Sequence, residues 1–302
     1  MMTLMTPEPS HIRWLRPLML SAASGFAVIG VWWAFICTRE GQALDTLGFS
    51  GAHIGSWLVS DRANTMLSKV SVGGVVVIMA VVALTAMLRR RWLLALESVV
   101  VVGGANLSTQ VLKYHLLHRP ALLDWGSLTN NSYPSGHTTV AASGVVAAVL
   151  VAPKRLRSAV AVVGTLLMLA FGWGTLAAHW HRPSDVIGGY LVCLCWAFMA
   201  LCVGAARQRL LGRGRGELPD RRPVSRVVPS LLVVAGLAAL ALAGWCAWQS
   251  LHVDVFDPTR RELFIAYLGS SAGIGGVAAA GLGVLVRLVD LHDAGSEQLA
   301  IA

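Results

Sequence analysis

Eight apolar runs of about twenty residues each, separated by more polar connections, leave this chain few ways to fold. They cover roughly residues 17–38, 70–88, 92–112, 136–152, 158–178, 186–205, 228–250 and 264–287. A helix needs about 20 mostly apolar residues to cross a bilayer, and inside hydrocarbon a run of this kind satisfies its backbone only as a helix. Charge is correspondingly scarce. Only 13% of the 302 residues are Asp, Glu, Lys or Arg, and mean hydropathy is +0.66. Soluble domains carry about 25% charge. The pattern predicts an all-α integral membrane protein and excludes a soluble enzyme, a disordered chain and a coiled coil.

The first run follows His11, Arg13 and Arg16, as a signal peptide would. It is longer than the usual 7–15-residue apolar region and contains Trp32 and Trp33, so an uncleaved helix is expected. With the N-terminus cytoplasmic, eight crossings put twice as many Lys and Arg inside as outside. Arg89, Arg90, Arg91, Lys154, Arg155, Arg157 and the arginines between Arg207 and Arg226 carry that bias. Both termini are therefore expected inside a cell membrane. The net charge of +9 reads as a topology signal rather than a footprint for nucleic acid. The five cysteines all lie in apolar runs and read as small buried hydrophobes.

The chain divides into three regions: a six-helix core over 1–205, a basic cytoplasmic linker over 206–227, and a two-helix membrane extension over 228–302. Residues 39–69 mix Leu47, Phe49, Ile54, Trp57 and Leu58 with polar residues and predict a surface-lying, partly helical lid. Gly269, Gly273, Gly276, Ala280 and Gly283 in the last run permit close helix packing.

Polar residues concentrate in two stretches, 113–139 and 179–185, which this topology places together on the outer face. Lys113 and Arg119 are cations suited to phosphate oxygens. Ser135 and Gly136 follow Pro134 at a predicted helix start, where free backbone N–H groups receive anions. His137 comes next, placed to give a proton to whatever binds there. His181 and Asp185 are four apart and share a face if that stretch is helical. A carboxylate on one imidazole nitrogen leaves the other free as nucleophile or base. Together these groups make a phosphoryl-transfer site in which the cations meet the charge, so neither metal nor cofactor is expected. Other residues read more plainly. Glu97, close in sequence to Arg90 and Arg91, is expected to be either in an interhelical pair or a snorkelling acid rather than a proton relay. Asn106, Ser108, Thr109 and Gln110 either bond neighbouring helices or line the floor of the site. Asn130, Asn131 and Ser132 form a glycosylation acceptor pattern only in a glycosylating compartment. Trp125 and Trp180 suit the outer aromatic belt.

These residues resemble the type-2 phosphatidic acid phosphatase superfamily, lipid-phosphatase relatives of the vanadium haloperoxidases. The family carries a Lys followed by Arg-Pro, a Pro-Ser-Gly-His, and a Ser-Arg followed by a His and an Asp. Pro134, Ser135, Gly136 and His137 match the second motif, and His181 and Asp185 match the end of the third. Lys113 and Arg119 bracket five residues where the family has six. Gly174 and Thr175 stand where the family has Ser-Arg, so one phosphate-binding arginine is missing. Arg182, His179 and His118 are the nearby basic groups, none at the matching position.

The resemblance implies that His181 attacks phosphorus to form a phosphohistidine and that Asp185 orients it. His137 protonates the leaving oxygen, while Lys113, Arg119, Ser135 and the Gly136 amide hold the phosphate. It implies a hydrolase acting on a membrane lipid phosphate, of isoprenyl pyrophosphate or phosphatidate type, that approaches laterally from the bilayer. An outer-face site suits undecaprenyl pyrophosphate recycling for the cell envelope. Two alternatives share the site. One is a lipid phosphotransferase. The other is a non-catalytic lipid-binding or transport protein, for which Thr175 speaks.

Overall fold

The computed structural model describes residues 14–54, 92–123, 131–211 and 226–299, with six separate positions between 77 and 87. The rest of the run at 70–88, residues 55–69, Trp125, Asn130 and the centre of the basic linker lie outside the described residues. The described residues form eight α-helices and no strand. These are α1 (Leu15–Ile36), α2 (Arg39–Gly51), α3 (Trp92–Val111), α4 (Gly136–Val151), α5 (Lys154–Ala177), α6 (Pro183–Leu211), α7 (Val227–Ser250) and α8 (Arg260–Leu299). All but α2 and α4 are long and apolar enough to cross a membrane, α3 together with the π-turn Leu112–Leu116 that continues it. α4 is apolar but shorter. The architecture is that of an all-α, multi-pass membrane protein.

Each spanning helix divides its apolar residues between two neighbours, protein and lipid. α1 buries Pro17, Ser21, Ser24 and Val28, a stripe at three- and four-residue spacing. Its Phe26 is 78% exposed, and Met19 and Trp33 are each 63% exposed. Side chains of this size left bare over a whole bundle make an aggregation surface in water but match the hydrocarbon of a bilayer. α6 is the most buried of the long helices and packs against α1, α3, α4 and α8. α7 is the least buried and rests mainly on α8. There the small residues act as expected: a Cβ at Gly236 would stand 2.5 Å from the Ala280 amide nitrogen, and one at Gly276 2.9 Å from the Gly236 carbonyl. α8 also contributes Ile274, Ala278, Leu282 and Leu285 to the main apolar core.

Interior polar groups on the spans bond across helices. Ser21 Oγ donates to the Cys195 carbonyl (2.9 Å), Asn106 Nδ2 to Ser143 Oγ (3.1 Å), and Trp196 Nε1 to Ser108 Oγ (3.1 Å). Thr109 and Thr139 share a hydrogen bond of 3.1 Å. Bonding between helices is thus the role of Asn106, Ser108 and Thr109. The five cysteines are free thiols. At one end of the bundle, Arg157 is buried and ion-paired to Asp290 and, at 2.9 Å, to Asp293, which fastens α5 to α8. Glu97 pairs at that end with Arg207 of α6 (3.9 Å), an interhelical partner farther along the chain than Arg90 and Arg91.

One expectation is met in part. The described part of the 39–69 connection is helical and is not among the membrane-spanning helices, but it is seated in the bundle end rather than lying on its surface. α2 buries Gly41, Gln42, Asp45, Thr46, Leu47, Gly48 and Gly51. It fits closely against α8, where a Cβ at Gly51 would stand 2.3 Å from the Leu263 carbonyl. Its polar residues mislead because they are turned inward, toward other polar groups at the opposite end of the bundle.

Candidate active site

α5 ends in a turn that sets the direction of the chain into α6. The Ala178 and His179 amides bond back to the Gly174 and Leu176 carbonyls (2.9 and 3.0 Å). His179 then takes φ 58°, a left-handed conformation that glycine usually supplies at a helix end. The turn brings the Trp180 and His181 amides to the Thr175 carbonyl (3.0 and 3.3 Å). Pro183 opens α6, a first-turn position where its missing N–H costs nothing. Asp185 reaches back from that first turn. Its Oδ2 accepts from the Arg182 amide (2.9 Å) and from Ser132 Oγ (2.6 Å), and lies 3.4 Å from His181 Nδ1. Asp185 is fully buried and His181 is 6% exposed.

The Pro134–His137 turn docks on the same point. The Ser135 amide donates to the Asp185 carbonyl (2.9 Å), joining the two motifs through their backbones. Ser135 Oγ caps α4 by accepting from the Thr138 amide (3.3 Å), which leaves its own O–H free to donate. The fit depends on two glycines of α6. A Cβ at Gly188 would stand 2.4 Å from the Tyr133 ring, and one at Gly189 3.0 Å from the Ser135 carbonyl. His137 Nδ1 lies 3.4 Å from His181 Nε2. Trp180, expected in the interfacial belt, packs against His137 with ring centroids 5.1 Å apart.

The cations arrive on a separately braced loop. Lys113 sits half-buried in the π-turn, within electrostatic reach of His137. Asn131 Nδ2 clamps that turn by donating to the Lys113 and Leu117 carbonyls (2.9 and 2.8 Å). Both chain neighbours of Arg119 are held: Trp32 Nε1 donates to the His118 carbonyl (3.0 Å), and Gln42 Nε2 to the Pro120 carbonyl (2.7 Å). Arg119 Nη1 is buried and has no hydrogen-bond partner. Burial and then the positive charge of Arg182 lower the Arg119 pKa, while Asp45 and Asp185 work the other way.

Seven predicted residues, Lys113, Arg119, Ser135, Gly136, His137, His181 and Asp185, thus meet at one end of the bundle. Four further residues join them that the sequence did not single out for this role. Ser132 and Asn131 brace Asp185 and the π-turn. Gln42 and Asp45 come from α2. Asp45 accepts from the Ser184 amide and hydroxyl (2.9 and 2.7 Å) and so caps α6 from another helix. Burial and then the charge of Asp185 push its pKa up to about 6, against the pull of Arg119 and Ser184. The only local hint of Asp45 was a carboxylate sharing a helical face with Gly41, Gln42 and Gly48. Among the described residues, no group of three His, Cys, Asp or Glu side chains has a metal-binding arrangement.

Thr175 supplies no donor to this space, since its hydroxyl is spent on the Gly172 carbonyl (3.0 Å). The match to known families is consistent with the motifs. Residues 94–209 match the family model described as PAP2 superfamily. No curated protein and no solved structure matches the chain. The matched segment carries both histidines, Asp185, Lys113 and Arg119, and over that segment the chain is similar to the PAP2 superfamily, whose members are generally phosphatases.

Proposed function

We propose that the protein is a membrane lipid phosphatase that works through a phosphohistidine on His181. The observation that carries this reading is the line Asp185–His181–His137. Asp185 Oδ2 faces Nδ1 of His181 and leaves Nε2 turned toward His137. That arrangement favours Nε2 as the attacking nitrogen. The N–P bond forms as the P–O bond to the lipid breaks, and His137 gives its proton to the departing oxygen. Water then attacks phosphorus and loses its proton to His137. The N–P bond breaks, and inorganic phosphate leaves. The two facing nitrogens are 3.4 Å apart, too close for a phosphoryl group between them, so substrate binding must part them. Lys113, Arg119, the Ser135 hydroxyl and the Gly136 amide face the phosphate oxygens.

A lipid substrate suits the surroundings. A cavity of about 410 Å³ lies between α1, α3 and α6, lined by Gly25, Ile29, Leu107, Leu112, Leu116 and Trp196. Leu112 precedes Lys113 in the chain, so an apolar tail in this cavity puts its headgroup at the cation loop. The excess of Lys and Arg at the opposite end of the bundle favours an outward-facing site with both termini cytoplasmic. Isoprenyl pyrophosphate is the preferred substrate class, with phosphatidate next.

The test is phosphate release by the purified protein in detergent, from a polyprenyl pyrophosphate and from phosphatidic acid, with chelator present. His181→Ala is expected to lower release by at least about 1,000-fold. Acid-quenched wild-type protein should carry an acid-labile phosphoryl group. Undiminished turnover by His181→Ala sinks the mechanism. Failure to hydrolyse either lipid sinks the substrate assignment.

A further inference from the structure

We infer that Arg182 is the third phosphate-binding cation of this site, so that the phosphoryl group is held between the guanidinium groups of Arg119 and Arg182. The inference rests on the phosphatase reading above and names a binding residue that the family pattern does not supply. Thr175 occupies the position of the missing arginine, and its hydroxyl is already committed.

Three observations carry it. Arg182 is 7% exposed, yet its Nε has no hydrogen-bond partner. Arg119 Nη1 is in the same condition. Buried guanidinium donors are rarely left unpaired without a ligand or a strained role to explain them. Second, the two cations repel each other, since the Arg182 charge is felt at Arg119. Among the described residues neither makes an ion pair within 4 Å. Of the nearby carboxylates, Asp45 is taken by Ser184 and Asp185 Oδ2 by Ser132 and the Arg182 amide, while Asp185 Oδ1 is buried and accepts from neither guanidinium. A phosphate dianion between the two cations answers both the repulsion and the vacant donors. Third, the group is held in place from one side. Its Cζ lies 5.6 Å from the centroid of the Phe49 ring, a contact that restrains the guanidinium without using its N–H groups.

The other basic candidates serve elsewhere. His118 is exposed, and its carbonyl holds Trp32. His179 packs against His53 (ring centroids 4.0 Å) and Phe49 (4.9 Å). Burial and then His53 lower the His179 pKa, which disfavours its charged form. Arg182 also follows His181 directly, so the residue that attacks and the residue that holds the phosphate share one backbone turn.

The experiment measures inorganic phosphate binding to the full-length protein in detergent, by calorimetry and by the phosphate-dependent rise of the unfolding midpoint. Wild type, Arg182→Gln and Arg182→Lys are compared, alongside KM and kcat for the lipid substrate. Arg182→Gln is expected to bind phosphate about tenfold or more weakly, the size of one lost charge-assisted hydrogen bond, and KM should rise with it. Arg182→Lys, which keeps the charge but loses the planar fork, should bind at least about threefold more weakly. A purely structural Arg182 would lower the phosphate-free midpoint and leave the affinity of the folded fraction intact. Wild-type affinity in Arg182→Gln overturns the inference, as does wild-type affinity in Arg182→Lys should the Gln variant not fold. Either result, with wild type still hydrolysing lipid, leaves the phosphatase reading standing. A wild type that neither hydrolyses lipid nor binds phosphate overturns that reading itself.

Discussion

Asp185 is held by donors from two directions, and its neighbours can be tested one at a time. Ser132 Oγ makes the shortest of its hydrogen bonds, 2.6 Å. Ser132→Ala leaves Oδ2 with the Arg182 amide and a freer His181 ring. Because the bond is to a charged group, kcat is expected to fall about tenfold with KM nearly unchanged. A rise in KM alone would show that Ser132 acts on binding instead. Asp45 makes a pH prediction. Its carboxyl, buried beside Asp185, titrates near 6 in the folded protein against an ordinary 3.8. A raised acid pKa means that the folded state takes up the proton more readily than the unfolded one. The penalty is therefore full above about pH 6 and is relieved as pH falls toward 4, at about 1.4 kcal/mol per pKa unit. The unfolding midpoint of wild type relative to Asp45→Asn should rise between pH 7 and pH 5. A pH-independent difference would show that Asp45 titrates normally.

At the scale of elements, the site is a docking of helix ends, and its tolerance is set by α6. Gly189 lets the Pro134–His137 turn approach so closely that an added Cβ would meet the Ser135 carbonyl at 3.0 Å and two threonine hydroxyls at 2.7 and 3.0 Å. Those are backbone and short side chains, which have little room to give. Gly189→Ala is expected to push the turn off α6, lower phosphate affinity several-fold, and cost roughly 1–3 kcal/mol of stability. Unchanged kinetics in that variant would show that the turn has slack. The legibility of the sequence also divides at this scale. Apolar run lengths placed α1, α3, α4, α5 and α7 to within about four residues, because a bilayer imposes its thickness on any helix that crosses it, whereas α6 and α8 continue past their apolar runs to Leu211 and Leu299. The burial of α2 was not legible because its glycines and polar residues look like surface composition until the neighbouring charges are known.

For the whole molecule, the C-terminal pair is fastened to the preceding helices at both ends of α8. Near the site, α8 supports α2 at Gly48 and Gly51. At the far end, Arg157 is buried against Asp290 and Asp293. Removing one partner of a buried ion pair leaves uncompensated charge. Arg157→Met should therefore destabilise the detergent-solubilised protein by about 3 kcal/mol or more while leaving KM of the residual folded enzyme unchanged. Asp290→Asn with Asp293→Asn in the same chain should recover part of that loss. No loss in the single variant would show that the two carboxylates are protonated and the ion pairs absent.

The sequence by itself determined the solvent of this protein and the chemical kind of its site. Both are local properties: an apolar run is read over twenty residues, and a Pro-Ser-Gly-His or a His-Asp spacing over four or five. What it could not determine is which distant groups complete that site. Ser132 reaches Asp185 across 53 residues and Asp45 reaches Ser184 across 139, contacts that no periodicity records. Only the tertiary structure decided that the Thr175 hydroxyl is spent on the Gly172 carbonyl. It alone placed a buried, unpaired Arg182 beside Arg119, because only helix packing puts like charges from separate loops within reach of one another.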